Sequence, residues 1–192
     1  MMNDFSLYFP LGWEHILDLN GYDHILFILV LCCAYTLRDW KKVLGLITAF
    51  TLGHCATLAL AVFKVVRVNV SWVEFLIPLT IFLTAIFNLL PKRSSNASIG
   101  LYSATLFFGL IHGLGFSNYL QSLLGKEENV VVPLLAFNLG VECGQILVVL
   151  LTMVLTTLLL RMTTIRQQQI ALYLSIAVIG VSFYLMLERY PL

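Results

Sequence analysis

Apolar residues run through this chain in long blocks, broken by short polar clusters where most of the lysines and arginines collect. A hydrocarbon core of about 30 Å is crossed by roughly 20 helical residues. Six stretches meet that requirement, at about 22–38, 42–63, 72–90, 99–120, 131–160 and 169–187. Helix is the only conformation open to them, because an unpaired sheet edge cannot be satisfied in lipid. Residues 5–18 (FSLYFPLGWEHILD) are aromatic-rich and carry Pro10 and Gly12. They read as an interfacial or re-entrant segment, too short to cross. The expected fold is all-α: a polytopic membrane helical bundle of about six transmembrane helices, forming a single integral membrane domain over residues 1–192.

Composition agrees with the pattern. The 192 residues are 60% hydrophobic and 11% charged, against about 25% charged in soluble domains. A formal net charge of +1 gives no basis for nucleic-acid binding. The N-terminus has no positive n-region and no small-residue cleavage site, so no signal peptide is expected. Cys32, Cys33, Cys55 and Cys143 lie in apolar runs without a C-x-x-C pair, the setting of small buried hydrophobes rather than disulfides.

The charges sort the connections. Arg38, Lys41, Lys42, Lys92, Arg93, Arg161 and Arg166 fall on one side, and Lys64, Arg67, Lys126 and Arg189 on the other, the latter among several acids. The more basic side is expected to be cytoplasmic, which places both termini outside. All four histidines, His15, His24, His54 and His112, then lie in or beside segments on the outer side of the bilayer. His54, His112 and Glu142 reach depths of roughly 10–17 Å. Ionisable groups at membrane depth are costly and mark pathways or sites.

Local context sharpens this. His112 sits inside Gly109-x-x-x-Gly113 and Glu142 inside Gly140-x-x-x-Gly144, while Gly45, Ala49 and Gly53 precede His54 at the same spacing. Small residues four apart let helix backbones approach closely. Thr51, His54 and Thr57 share a helical face, where the threonines are expected to bond backbone or orient the imidazole. Asn138, Glu142 and Gln145 form one polar stripe on the fifth span. Asp23 and His24 open the first span, after an Asn20-Gly21 turn signal that follows His15 and Asp18.

Imidazole nitrogens with carboxylate oxygens suit Ni²⁺, Zn²⁺, Co²⁺ or Fe²⁺ better than Mg²⁺ or Ca²⁺. The expected metal residues are His15, Asp23, His24, His54, His112 and Glu142, with Thr51, Thr57, Asn138 and Gln145 as polar support. Asp23, His24 and His15 would form an outer site, and His54, His112 and Glu142 a deeper one.

The segments HILDLNGYDHILF, TAFTLGHCATLAL, FGLIHGLGF and FNLGVECGQ, in this order, resemble the HupE/UreJ family of bacterial membrane proteins. The resemblance spans roughly residues 12–147. It implies a multi-pass inner-membrane protein associated with nickel, of the permease or metal-uptake accessory type serving hydrogenase or urease. It also implies functional roles for Asp23, His24, His54, His112 and Glu142. The spacing from His15 to the Asp23-His24 pair is longer than in nickel permeases of this type, and Cys55 stands where many relatives have serine, which marks a divergent branch.

Two function classes follow. One is a transporter taking up a divalent transition-metal ion, nickel or zinc above others, from the outer face. The other is an intramembrane zinc-type hydrolase acting on a lipid or an exported peptide, with Glu142 as its catalytic carboxylate. A metal-regulated scaffold is a third, weaker reading. Expected partners are the metal ion and membrane lipid, with a homo-oligomer or a metalloenzyme-assembly protein open. The inner halves of the spans offer only Asn88 and a few threonines as an exit.

Overall fold

A computed structural model of the chain describes residues 4–90, 97–124 and 130–191. Seven α-helices follow in order: α1 (Asp4–Leu17), α2 (Asp23–Cys32), α3 (Trp40–Val62), α4 (Val70–Leu89), α5 (Ala97–Leu124), α6 (Val131–Met162) and α7 (Gln167–Glu188), with a 3₁₀ turn at Leu37–Asp39 before α3. Five of them, α3 to α7, are long and apolar enough to cross a membrane. The bundle is all-α among the described residues, as the hydropathy pattern predicts.

The first expected span is different. Over 22–38 only Asp23–Cys32 is α-helical, about 15 Å of rise, half a bilayer. The chain leaves α2 at Cys33 and enters the 3₁₀ turn, where Thr36 and Asp39 satisfy each other: the Thr36 backbone N–H and hydroxyl both donate to Asp39 Oδ2 at 3.0 Å. An apolar run measures burial, and α2 is buried inside protein rather than set across lipid.

α1 replaces what α2 lacks. Pro10 sits within its 14 residues rather than interrupting them, and one face packs on α6. A Cβ on Gly12 would collide with the Phe137 carbonyl, and one on Gly140 with the Phe9 carbonyl. Phe9, Trp13 and Ile16 thus meet Gly140 and Gly144 in ascending order, so α1 runs parallel to α6. At its far end Asp23 pairs with Arg189 beyond α7, while Cys33 and Tyr35 accept from Gln167 at the start of α7. α2 is therefore antiparallel to α7 and descends in the same sense as α1 and α6. Two half-helices, broken at residues 18–22, follow one another into the bundle. The break is an Asx turn, the Asn20 N–H donating to Asp18 Oδ1 at 2.8 Å.

The second close pair is α3 with α5. Gly53 faces the Leu106 carbonyl, Gly109 the Phe50 carbonyl and Gly113 the His54 carbonyl, each too near for a side chain. Within lipid there is no hydrophobic force between helices, so such contact through small residues carries the association. Thr57 fastens it, donating to the Leu110 carbonyl at 2.8 Å. α3 ends in a Schellman turn: Lys64, at φ 59°, donates its N–H to Ala61, and Val65 donates to Leu60. α4 begins on Asn69, whose side chain caps the Ser71 N–H at 3.0 Å, and pairs with α7. We call upper the end of the bundle holding the α3–α4 connection and Arg189, and lower the end holding Gln167.

Candidate metal centre

The packing of α1 on α6 and of α5 on α3 brings imidazoles from four elements into one place. His15 comes from the last turn of α1, His24 from the first turn of α2, His54 from the middle of α3 and His112 from the upper half of α5. Ring centroids lie 4.7 Å apart for His15–His24, 6.0 Å for His15–His54 and for His24–His54, and 5.1 Å for His24–His112. One ring nitrogen each from His15, His24 and His54 falls within 4.8 Å of the other two. A tetrahedral ion with metal–nitrogen bonds of 2.0–2.1 Å needs nitrogens about 3.4 Å apart. The imidazoles would have to draw closer than this for a single ion to be held by all three.

His24 and His54 are buried, His54 fully, and His15 is half-buried. His15 Nε2, His24 Nε2, both nitrogens of His54 and His112 Nδ1 have no hydrogen-bond partner among the described residues. Leaving a buried polar atom unpaired costs about 1–3 kcal/mol, so five such nitrogens on neighbouring rings suit a bound cation far better than a plain core. His112 is held differently. Its Nε2 is 3.0 Å from the Thr80 hydroxyl of α4, which leaves Nδ1 unpaired.

The other expected residues are distributed around this centre. Asp23 turns to Arg189, with Oδ2 accepting at 2.9 Å and Oδ1 buried without a partner among the described residues. Glu142 is not among the converging groups: its Oε1 accepts from Thr48 of α3 at 2.8 Å, on a half-buried flank of the α3–α6 contact. One turn on, Gln145 accepts from Thr51 at 2.8 Å. Thr51 and Thr57 thus tie α3 to α6 and α5 rather than bonding the His54 ring. Asn138 approaches His54 without completing a bond of good geometry; its Nδ2 donates to the Leu134 carbonyl at 2.8 Å. None of the four cysteines, all among the described residues, is in a disulfide.

Several residues enter the site that the sequence pattern does not single out. Phe116 stands 4.1 Å from His15, ring to ring, and stacks on Phe137 at 4.9 Å. Phe50 meets His112 edge-on at 5.0 Å and stacks on Phe27 at 4.8 Å. These rings wall the imidazoles off from lipid. Above them lies a cavity of about 340 Å³ lined by His15, His24 and His112 together with Asp18, Asp23, Glu74 and Arg189. A wider one of about 770 Å³, bounded by Trp13, Glu14, Phe116 and Tyr119, adjoins it at His15 and Asp18. Glu74 belongs to α4, one turn before Pro78. No spacing rule connects it to a histidine on another helix.

Below the centre a polar thread continues. Thr84 donates to the Thr80 carbonyl at 2.8 Å. One turn further, Asn88 donates to the Val30 carbonyl at 2.6 Å and approaches Cys33 Sγ at 3.3 Å and Ser175 Oγ at 3.4 Å. Gln167 closes it, donating to the Cys33 and Tyr35 carbonyls at 2.6 and 3.0 Å. A small void of about 30 Å³ lies beside Thr84, Asn88 and Thr105.

These features define a polytopic helical membrane protein with a buried histidine centre reached from one end of the bundle. A family model described as HupE / UreJ protein matches residues 1–189, and the chain belongs to that family. No curated protein and no solved structure matches it.

Proposed function

We propose that this protein carries a divalent transition-metal ion, of the nickel type, across the bacterial inner membrane, accepting it from the outer face. The upper end of the bundle is then outside, together with both termini. The observation that carries this reading is the convergence of His15, His24 and His54 nitrogens within 4.8 Å, where His15 Nε2, His24 Nε2 and both His54 nitrogens are buried with no partner among the described residues. Three neutral imidazoles favour borderline cations such as Ni²⁺ and Zn²⁺. They present replaceable ligands, and conduction needs binding that can also be undone.

The path has three stages. An ion enters the carboxylate-lined cavity of Asp18, Asp23 and Glu74, is held by His15, His24 and His54 with His112 alongside, and leaves past Thr80, Thr84 and Asn88. Glu142 acts on the flank of the centre, where it balances charge while the α3–α6 contact adjusts. The polar thread below the imidazoles favours passage over the hydrolase reading, since hydrolysis at a pocket open to one side has no use for it. The test is uptake of radiolabelled Ni²⁺ or Zn²⁺ into proteoliposomes. Wild-type protein should move the ion down its gradient and the His54→Ala variant should not. A wild type that holds an ion tightly and moves none would refute transport.

A further inference from the structure

The carboxylates above the histidines are not left to themselves. Arg189, one residue beyond α7, reaches down and donates from its guanidinium to Asp23 Oδ2 at 2.9 Å. Its position is fixed from both sides. Its backbone N–H closes the last turn of α7 on the Leu185 carbonyl at 3.0 Å, and the neighbouring Tyr190 ring packs edge-on against Phe75 of α4 at 5.7 Å. The guanidinium lines the same cavity as Asp18, Glu74, His24 and His112. The side chains of Arg189 and Asp23 are 25% and 14% exposed, so the arginine stands at the solvent edge and can swing out, while the aspartate cannot follow. The second Asp23 oxygen is buried, with no partner among the described residues.

We propose that Arg189 is a tethered counter-cation, occupying the Asp23 carboxylate until a divalent ion arriving at His24 displaces it. This inference rests on the metal-site reading above. Asp23 and His24 are adjacent in sequence, so a dication on the His24 imidazole stands near the same carboxylate and repels the guanidinium. The two positive groups compete for one anion, and like charges disfavour one another strongly where water is scarce. Before binding, one guanidinium sits among three carboxylates. A monovalent cation that took its place would exchange one unit charge for another and gain little, whereas a dication gains from the exchange. Arg189 thereby lowers, by a common factor set by the ion pair that must break, the affinity for every cation that has to displace it. It is an affinity-setting residue at the mouth of the centre.

The experiment compares purified full-length wild type, Arg189→Gln and Arg189→Lys in detergent, titrated with Zn²⁺ and with Ni²⁺ as simple salts. Arg189→Gln should bind each ion at least about threefold more tightly, although the metal-free protein loses an ion pair and melts at a lower temperature. Arg189→Lys should stay within about twofold of wild type. Tightening by Lys as large as that by Gln, or no tightening by Gln, overturns the proposal. A second readout needs no variant: phenylglyoxal labelling of wild type, followed by peptide mass spectrometry. Zn²⁺ should speed modification of Arg189; a rate that is unchanged or slower overturns it. A wild type that binds neither ion removes the metal-site reading itself, which is a different result from binding that Arg189→Gln leaves unaltered.

Discussion

The imidazoles of His15 and His24 meet edge to face at 4.7 Å across a break between two half-helices. A continuous helix would carry residues nine apart about 13 Å along its axis. The Asp18–Asn20 turn folds that separation away and leaves both rings facing His54 on α3. The break in the helix builds the centre.

Removing one of the three converging imidazoles should therefore remove most of the binding. His54→Ala deletes the most deeply buried of them and should weaken Zn²⁺ or Ni²⁺ binding more than about tenfold, measured by isothermal titration. Equal affinity in wild type and variant would place the ion elsewhere.

Thr80 tests the role of His112. Its hydroxyl, 3.0 Å from Nε2, orients that ring, and partners behind a metal-binding histidine are typically worth 10–100-fold in affinity. Because His112 flanks the trio instead of completing it, Thr80→Val should cost about tenfold or less, and less than His54→Ala. A larger effect than that of His54 would make His112 a principal ligand.

The close helix pairs give a stability prediction with a built-in control. Gly113→Ala drives a methyl into the His54 carbonyl, and Gly12→Ala into that of Phe137. Overpacking of this kind costs about 1–3 kcal/mol, and both variants should melt earlier and bind metal less well. Gly180→Ala, with nothing within 4 Å of its new methyl, should be neutral or gain up to about 1 kcal/mol from helix propensity. Thermal unfolding in detergent distinguishes them.

Asn88 separates binding from passage. Replaced by leucine, it can no longer offer a polar face beside Cys33 and Ser175. Asn88→Leu should keep the equilibrium affinity and lose at least about fivefold in proteoliposome flux. Undiminished flux would route the exit elsewhere.

Much of this was legible in the chain. The 3.6-residue helix and the thickness of lipid impose a length on any spanning segment, so α3 to α7 follow from runs of apolar residues alone. The histidines stood out because ionisable groups are rare in such runs, and the glycines beside them marked where backbones touch. The membrane class and the HupE/UreJ membership rest on that same local information. Which backbones touch was not local. Gly140 and Gly144 pack on α1, a segment whose length and proline read as interfacial, and that contact is what carries His15 inward. The apolar run of 22–38 gave no sign that half of it would be sheltered by protein, because burial in a bundle and burial in lipid ask for the same side chains. Glu142, the acid most conspicuous in sequence, bonds Thr48, while Arg189 pairs with Asp23 and Glu74 lines the same cavity, both from far away along the chain. Hydropathy decides which segments leave water, since each residue's transfer is a local quantity. The partners of His24 and Asp23 were decided only by folding, because helix–helix contact depends on shape matching between surfaces that no single segment contains.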